Sequence, residues 1–275
     1  MMEIKALAFD LDGTLLGPSA ILTDRTLKSV RAFAQKGLDI ILATGRAVES
    51  AEKYRIPLEA GGPMVYFNGA VIADMPAGNI LDATLLSKEI VKTCVELSAE
   101  MGIYFQYFIS GTAQRPGQPL LTSADHPRRD MYYKHTGILA EICEPKKALE
   151  DPQVQGCIKG MFLAEPEVLD NLRPIIEKQF GSDIYAVRST STFLEILNPN
   201  VSKGSGLDFA LKHRSIKPAE TAVFGDEEND LPMFDLAGLS VAPGNARENV
   251  KARADIVVRS NAEDGIAEFL ENVFL

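Results

Sequence analysis

Near each end of the chain, short apolar runs alternate with amphipathic stretches, and this rhythm restricts the fold more than any other feature. Ile4 to Phe9 reads as a strand apolar on both faces. From Thr23, the residues Leu27, Val30, Phe33 and Ala34 recur at helical spacing behind a Thr/Asp cap, and Gly37 supplies the stop. Leu38 to Ala43 is a second strand and Met64 to Phe67 a third. The last third repeats the pattern with a helix from Ser202 to His213, strands at Thr221 to Phe224, Leu239 to Val241 and Ile256 to Val258, and a closing helix from Ala262 to Val273. Strands buried on both faces and alternating with helices belong to a parallel sheet covered by helices. The two thirds therefore read as halves of one doubly wound, mostly parallel α/β sheet.

The middle, from about Asp82 to Arg188, breaks the alternation. A helix from Ser87 to Met101 carries Ile90, Val91, Cys94, Val95, Leu97 and Met101 largely on one side. An aromatic strand, Tyr104 to Ile109, runs into a polar, Pro/Gly-punctuated region from Ser110 to Arg129. A second helix, Pro166 to Phe180, lies between strands around Gly160 to Ala164 and Phe193 to Leu197. This is an α+β domain inserted in the sheet domain, giving a core of residues 1–81 and 189–275 and an insertion of 82–188.

Composition narrows the function. The 275 residues include 28 Lys+Arg and 38 Asp+Glu, a net charge of −10, so generic binding to nucleic acid or to an anionic membrane surface is disfavoured. A small anionic substrate remains open if something local and positive receives it. Cys94, Cys143 and Cys157 include no Cys-x-x-Cys pair and read as reduced, mostly buried thiols. The first residues, Met1 to Leu7, lack the features of a secretory signal, and no apolar stretch reaches the roughly 18 residues of a membrane span, so a soluble cytoplasmic protein is expected.

Four clusters carry candidate chemistry. In Phe9-Asp10-Leu11-Asp12-Gly13-Thr14-Leu15, two carboxylates sit two apart where a strand ends, at the sheet edge where open α/β folds bind ligands. Paired carboxylates suit a divalent cation, or divide into different protonation states, and an Asp can attack phosphorus; an ordinary Asp/Gly turn is the plainer alternative. Leu42-Ala43-Thr44-Gly45-Arg46 offers a hydroxyl and backbone N–H groups to an anion, or simply caps a helix. In Ser202-Lys203-Gly204-Ser205-Gly206, Lys203 is either a compact charge for a phosphoryl group or a solvated lysine. Gly225-Asp226-Glu227-Glu228-Asn229-Asp230 crowds four carboxylates into five residues, which a cation would relieve or solvent would tolerate at a helix start. All four fall at a predicted strand end or helix start, so a parallel sheet would gather them at one edge.

Asp10-Leu11-Asp12-Gly13-Thr14, Ala43-Thr44-Gly45-Arg46, Ser202-Lys203-Gly204 and Gly225-Asp226 with Asn229-Asp230 resemble the four motifs of the haloacid dehalogenase superfamily of phosphohydrolases. Phe67-Asn68-Gly69-Ala70, Gly244-Asn245-Ala246 and Asn261-Ala262-Glu263-Asp264-Gly265 resemble secondary signatures of its Cof-like branch, class IIB, which carries a large cap between the second and third motifs. Glu227 and Glu228 occupy variable places in the fourth motif, and the stretch from Arg115 to Arg129 matches nothing in the family.

The resemblance implies that Asp10 is the nucleophile and Asp12 the general acid and then base. It implies Mg²⁺ held by the side chains of Asp10 and Asp226 and the backbone carbonyl of Asp12, with Asp230 supporting from behind. Thr44, the Gly45 N–H, Lys203 and Asn229 would grip the phosphoryl oxygens. The expected activity is Mg²⁺-dependent hydrolysis of small phosphorylated metabolites, sugar phosphates or a similar class, through an aspartyl-phosphate, by a monomer or weak homo-oligomer. Alternatives are a phosphomutase or phosphotransferase using the same intermediate, and a non-catalytic metal- or phosphate-binding module. Dehalogenation is disfavoured, since it needs neither Mg²⁺ nor the second aspartate. In the insertion, His126, Arg128, Arg129, Tyr132 and Tyr133 suggest contacts to a second anion and a ring, against a solvated loop followed by a strand; Tyr104 to Phe108 reads as insert core or a sheet face rather than a ligand platform.

Overall fold

The computed structural model describes residues 4–111 and 117–273; residues 1–3, 112–116 and 274–275, and with them the start of the stretch from Arg115, lie outside the described residues. The chain opens on β1 (Ala6–Phe9), α1 (Asp24–Gln35), β2 (Asp39–Leu42) and α2 (Val48–Leu58), then β3 (Gly62–Tyr66), β4 (Val71–Met75) and β5 (Asn79–Ala83). The middle comprises α3 (Lys88–Met101), β6 (Tyr104–Ile109), β7 (Leu120–Thr122), α4 (Pro127–Thr136), β8 (Glu141–Ile142), α5 (Pro145–Leu149), β9 (Cys157–Leu163), α6 (Pro166–Phe180), β10 (Tyr185–Thr190) and β11 (Phe193–Leu197). It closes on α7 (Lys203–His213), β12 (Thr221–Phe224), α8 (Leu231–Phe234), β13 (Leu239–Ala242), α9 (Glu248–Lys251), β14 (Ile256–Val257) and α10 (Gly265–Val273).

Two compact units result, Met1–Asp82 with Ser202–Leu275, and Ala83–Val201. In the first, five parallel strands run in the order β14-β13-β12-β1-β2. One face packs Ala6, Ala8, Ile41 and Val223 against Leu207, Ala210 and Leu211 of α7. The caps agree with the sequence: Thr23 accepts from the Thr26 N–H at the start of α1, and Ser202 accepts from the Ser205 N–H at the start of α7. The expected third strand, Met64 to Phe67, does not join the parallel sheet as a full member. It pairs antiparallel with β4 through a tight turn at Phe67–Gly69, and only a bridge from Val65 to Ala43 continues the order beside β2. The closing helix also starts later than expected, because Asp264 takes a left-handed conformation (φ 54°) that separates a short turn at Asn261–Glu263 from α10.

The second unit is a six-stranded sheet, β10-β11-β9-β6-β7-β8, antiparallel except where β7 meets β8. The junction expected near 188 falls inside β10; the chain leaves this unit only at Val201, because β10 and β11 form a hairpin whose second strand pairs with β9. Val91, Leu169, Leu172 and Ile176 of α3 and α6 cover the face built by Phe105, Tyr107, Phe162 and Leu194.

The loop-then-strand expected around Arg128 to Tyr133 is instead α4, which starts where the His126 side chain accepts from the Arg128 N–H. Its basic groups are engaged within the unit: Arg128 meets Glu165 at 2.7 Å, and Arg129 donates to the Ala140 carbonyl at 2.7 Å. Tyr132 packs 5.8 Å from the Phe193 ring. Tyr104 to Phe108 is buried, as insert core should be.

The same sheet holds an anomaly. Lys159 and Glu195 form a 2.7 Å pair with both side chains almost wholly buried, and Ser189 also donates to Glu195. A buried ion pair is weak evidence for stability, because desolvation offsets the attraction, whereas an orphaned partner is costly. Lys159→Met alone should destabilise by about 3–5 kcal/mol, while Lys159→Met with Glu195→Leu should be neutral or stabilising. Urea unfolding of the three proteins checks this, and equal destabilisation by the single and double variants would contradict it.

Candidate active site

The C-terminal ends of β1, β2 and β12 lie side by side and deliver three of the four clusters to one edge of the parallel sheet. The Asp10 N–H donates to the Phe224 carbonyl, the Ala43 N–H to the Phe9 carbonyl, and the Gly225 N–H to the Val241 carbonyl, so the ladder continues to the first chemical residue of each loop. Beneath them the Phe9 and Phe224 rings stack at 4.6 Å. The fourth cluster enters from the start of α7. Lys203 is its first residue, and its ammonium is buried 2.6 Å from Asp10 Oδ1 and 2.7 Å from Asp230 Oδ1.

Asp10, Asp226 and Asp230 gather so that one carboxylate oxygen of each lies within 4.8 Å of the others, and all three are buried. Their positions are fixed by neighbours. Thr14 Oγ1 donates to Asp226 Oδ1 at 2.6 Å. Asp230 Oδ2 accepts from the Asp226 and Glu227 N–H groups at 2.9 and 3.0 Å, so Asp230 ties its own loop to Lys203. Gly13 turns with φ +81°, and a Cβ there would collide with the Asp226 carboxylate. Asn245 Nδ2 donates to the Gly13 carbonyl, its Oδ1 accepts from the Asn261 N–H, and Asn261 Nδ2 donates to the Leu16 carbonyl. The late signatures at 244–246 and 261–265 thus brace the loop that follows Asp10.

Asp12 stands apart from this group. Its two oxygens each accept a 2.6 Å bond from Arg46, through Nε and Nη2. Thr44 Oγ1 accepts from the Arg46 N–H, which leaves the hydroxyl proton for another acceptor, and Gly45 follows in the bend. Asn229 Nδ2 donates to Asn68 Oδ1 at 2.9 Å, and Asn229 Oδ1 has no partner among the described residues.

Asn68 sits in three successive residues of positive φ, Phe67 (50°), Asn68 (58°) and Gly69 (98°). The N–H groups of Phe67 and Asn68 donate to the carbonyls of Arg46 and Thr44, and a Cβ on Gly69 would strike the Ser202 carbonyl. This turn therefore touches the loops that carry Thr44, Lys203 and Asn229. Thr14, Arg46, Asn68 and Asn245 lie within the sequence motifs, but the partners that give them roles, Asp226, Asp12, Asn229 and the Gly13 carbonyl, lie far along the chain, where spacing carries no information.

Electrostatics follow from burial. Burial pushes the Asp10 carboxyl up to about 7; Lys203 opposes the rise, and Asp230 and Asp12 add to it. Asp226 is raised well above its ordinary value by burial and then by Asp10 and Asp230. Burial lowers Lys203, but attraction to Asp10 and Asp230 outweighs it, and the ammonium holds its proton more firmly than usual. Burial and mutual repulsion thus disfavour ionisation of Asp10 and Asp226 together, and a hard divalent cation, which an all-oxygen donor set of this kind fits, would relieve the repulsion.

A fold and a site of this kind define a class of hydrolase that works from the C-terminal edge of a parallel sheet. The sequence profile described as haloacid dehalogenase-like hydrolase matches residues 7–270. The chain belongs to this family and is an enzyme of its phosphatase branch. It is 27% identical to Phosphatase YwpJ of Bacillus subtilis over 98% of this chain and 100% of that one. The crystal structure of TM0651 from Thermotoga maritima superposes with a TM-score of 0.79 at 29% identity, covering 99% of this chain and 98% of that one. The subclass IIB sugar phosphatase BT4131 shares the fold, with a TM-score of 0.80 at 24% identity over 97% and 98% of the two chains. No helix among the described residues is long and apolar enough to cross a membrane.

The raised pKa of Asp10 has a sign that can be tested. Between the ordinary carboxyl value of 3.8 and about 7, the folded metal-free protein holds a proton that the unfolded chain releases, so this group's contribution to stability falls as pH rises through that window. The Tm of metal-free protein should drop between pH 5 and pH 8. A divalent cation should raise it by several degrees at pH 8 and by little at pH 5, at about 2–4 °C per kcal/mol for a chain of this order of size. Thermal unfolding with and without the cation checks this, and an equal gain at both pH values would refute it.

Proposed function

We propose that this enzyme is a Mg²⁺-dependent phosphatase of small phosphorylated metabolites, sugar phosphates or a similar class, acting through an aspartyl-phosphate on Asp10. The observation that carries the reading is the division of four carboxylates into two settings. Three are gathered and buried, two of them paired with Lys203, and one, Asp12, is held separately by Arg46. The name of one relative supports the substrate class: a Bacillus subtilis protein 28% identical over 99% of both chains is a 5-amino-6-(5-phospho-D-ribitylamino)uracil phosphatase.

In this reading Asp10 attacks phosphorus, an Asp10 oxygen–phosphorus bond forms, and the ester P–O bond breaks. The departing oxygen takes its proton from the Asp12 carboxyl. Water then attacks the aspartyl-phosphate, gives its proton back to the Asp12 carboxylate, and releases inorganic phosphate as the Asp10–phosphorus bond breaks. The Thr44 hydroxyl, the Gly45 N–H, the Lys203 ammonium and the second amide proton of Asn229 hold the phosphoryl oxygens. Asp10, Asp226 and the Asp12 carbonyl would hold Mg²⁺, with Asp230 behind them, and the ion would supply the positive charge that lets a dianionic ester approach Asp10. Lys203 already bridges Asp10 and Asp230, so it orients the nucleophile before any substrate is present. The second unit, residues 83–201, is in this reading the domain that discriminates between substrates.

Asp10→Asn should abolish p-nitrophenyl phosphate hydrolysis, a loss of at least about 10³-fold, while circular dichroism and Tm show a folded protein. Retained turnover would remove Asp10 from the role of nucleophile. Release of inorganic phosphate without a phosphorylated organic product separates hydrolysis from phosphoryl transfer to a second metabolite. Cation binding by thermal shift, with no hydrolysis across a panel of phosphate esters, would identify a binding module instead.

A further inference from the structure

Asp12 is two residues from Asp10, yet its carboxylate is absent from the group formed by Asp10, Asp226 and Asp230. Arg46 accounts for the separation. Its guanidinium grips both Asp12 oxygens in a two-bond fork, and the arginine is itself immobilised. Nη1 donates to Ser50 Oγ at 2.8 Å, the guanidinium lies 5.1 Å from the centre of the Tyr54 ring, and the backbone is tied to Thr44 Oγ1 and the Phe67 N–H. Ser50 and Tyr54 stand one turn apart on α2, so the anchor is a helix face. The arginine side chain is 3% exposed and the aspartate 22%, so the open side of the pair belongs to Asp12.

We infer that Arg46 is the positioning residue of Asp12: a fixed pivot that holds one carboxylate oxygen while the other turns to the leaving oxygen or the attacking water. Both oxygens are bonded to Arg46 in the observed state, so one bond has to open for Asp12 to act. The guanidinium is pinned by Ser50 and Tyr54 and cannot follow, which confines the motion to Asp12 and keeps its swing centred on one point. A lysine would keep the charge but lose the planar fork, and with it the direction of the carboxylate. This inference rests on the proposed acid/base role of Asp12.

The test is leaving-group dependence, because a proton delivered by a well-aimed Asp12 matters little to p-nitrophenolate and greatly to a more basic phenolate. In Arg46→Lys, kcat/KM for phenyl phosphate should fall about 10²-fold and that for p-nitrophenyl phosphate less than about tenfold, in line with the 10²–10⁴-fold worth of general acid catalysis. Ser50→Ala, which frees one anchor of the guanidinium, should show the same selective loss at about threefold and covers the case in which Arg46→Lys does not fold. Methylguanidine added to Arg46→Ala should restore phenyl phosphate turnover in preference to p-nitrophenyl phosphate turnover. Equal losses on both esters, or none, would overturn the role of Arg46. Asp10→Asn assayed beside them separates the two levels: if it stays active, the nucleophile assignment fails, whereas an inactive Asp10→Asn with equal losses in Arg46→Lys defeats this inference alone.

Discussion

The first unit depends on a single constraint: three buried carboxylates gather where one buried ammonium bridges two of them. Asp10, Asp226 and Asp230 repel one another in a place with little water to screen them, and Lys203 pairs with Asp10 and Asp230. An arrangement of this kind relaxes apart unless the backbone holds it, and the surrounding structure supplies the restraint. Asp230 accepts two backbone N–H groups and the ammonium, Thr14 bonds Asp226, and the Asn245–Asn261 relay fixes the loop after Asp10. The stored repulsion is also what makes the place attractive to a cation, so the strain and the proposed chemistry have one origin.

The turn at Phe67–Gly69 shows how far that restraint extends. Two successive non-glycine residues in the left-handed region cost of order 1–3 kcal/mol each, and such backbone persists only where its surroundings over-determine it. Here the surroundings are the carbonyls of Thr44 and Arg46, the amide of Asn229 and the close approach to Ser202. The hairpin of β3 and β4 thus serves as a clamp between loops that are distant in sequence. It also explains why β3 leaves the parallel order: a strand that must reverse at Phe67 cannot run on to a crossover helix.

The sequence made much of this legible, for physical reasons. Strands buried on both faces and helices with an apolar stripe have short-range periodicities, and β6, β12, β11 and α6 fall at the residues read from the pattern. The gathering of four clusters at one sheet edge follows from three strand ends and one helix start. What stayed hidden were pairings across the chain. Arg46 and Asp12 are separated by 34 residues and Asn68 and Asn229 by 161, and neither separation leaves a local mark. The segment 127–136 failed for another reason. Its apolar residues are too few to draw a stripe, and its helix is held by the His126 cap, the Arg128–Glu165 and Arg129–Ala140 contacts and the packing of Tyr132 on Phe193. The junction expected at 188 follows the change in strand–helix alternation, whereas the division at 201 is set by the hydrogen bonds of the β10–β11 hairpin.

Two cations sort the carboxylates of the site. An ammonium is a compact point charge that can be shared between two acids, and Lys203 is used in that way, between Asp10 and Asp230. A guanidinium is a planar fork suited to one acid held in one orientation, and Arg46 is used in that way, on Asp12. Exchanging them would alter both arrangements, because a lysine at position 46 would keep the charge and lose the planar fork that sets the direction of the Asp12 carboxylate. The two aspartates are only two residues apart in the chain, and each meets a different cation. That difference leaves the Asp10 carboxylate in the group with Asp226 and Asp230 and keeps the Asp12 carboxylate out of it.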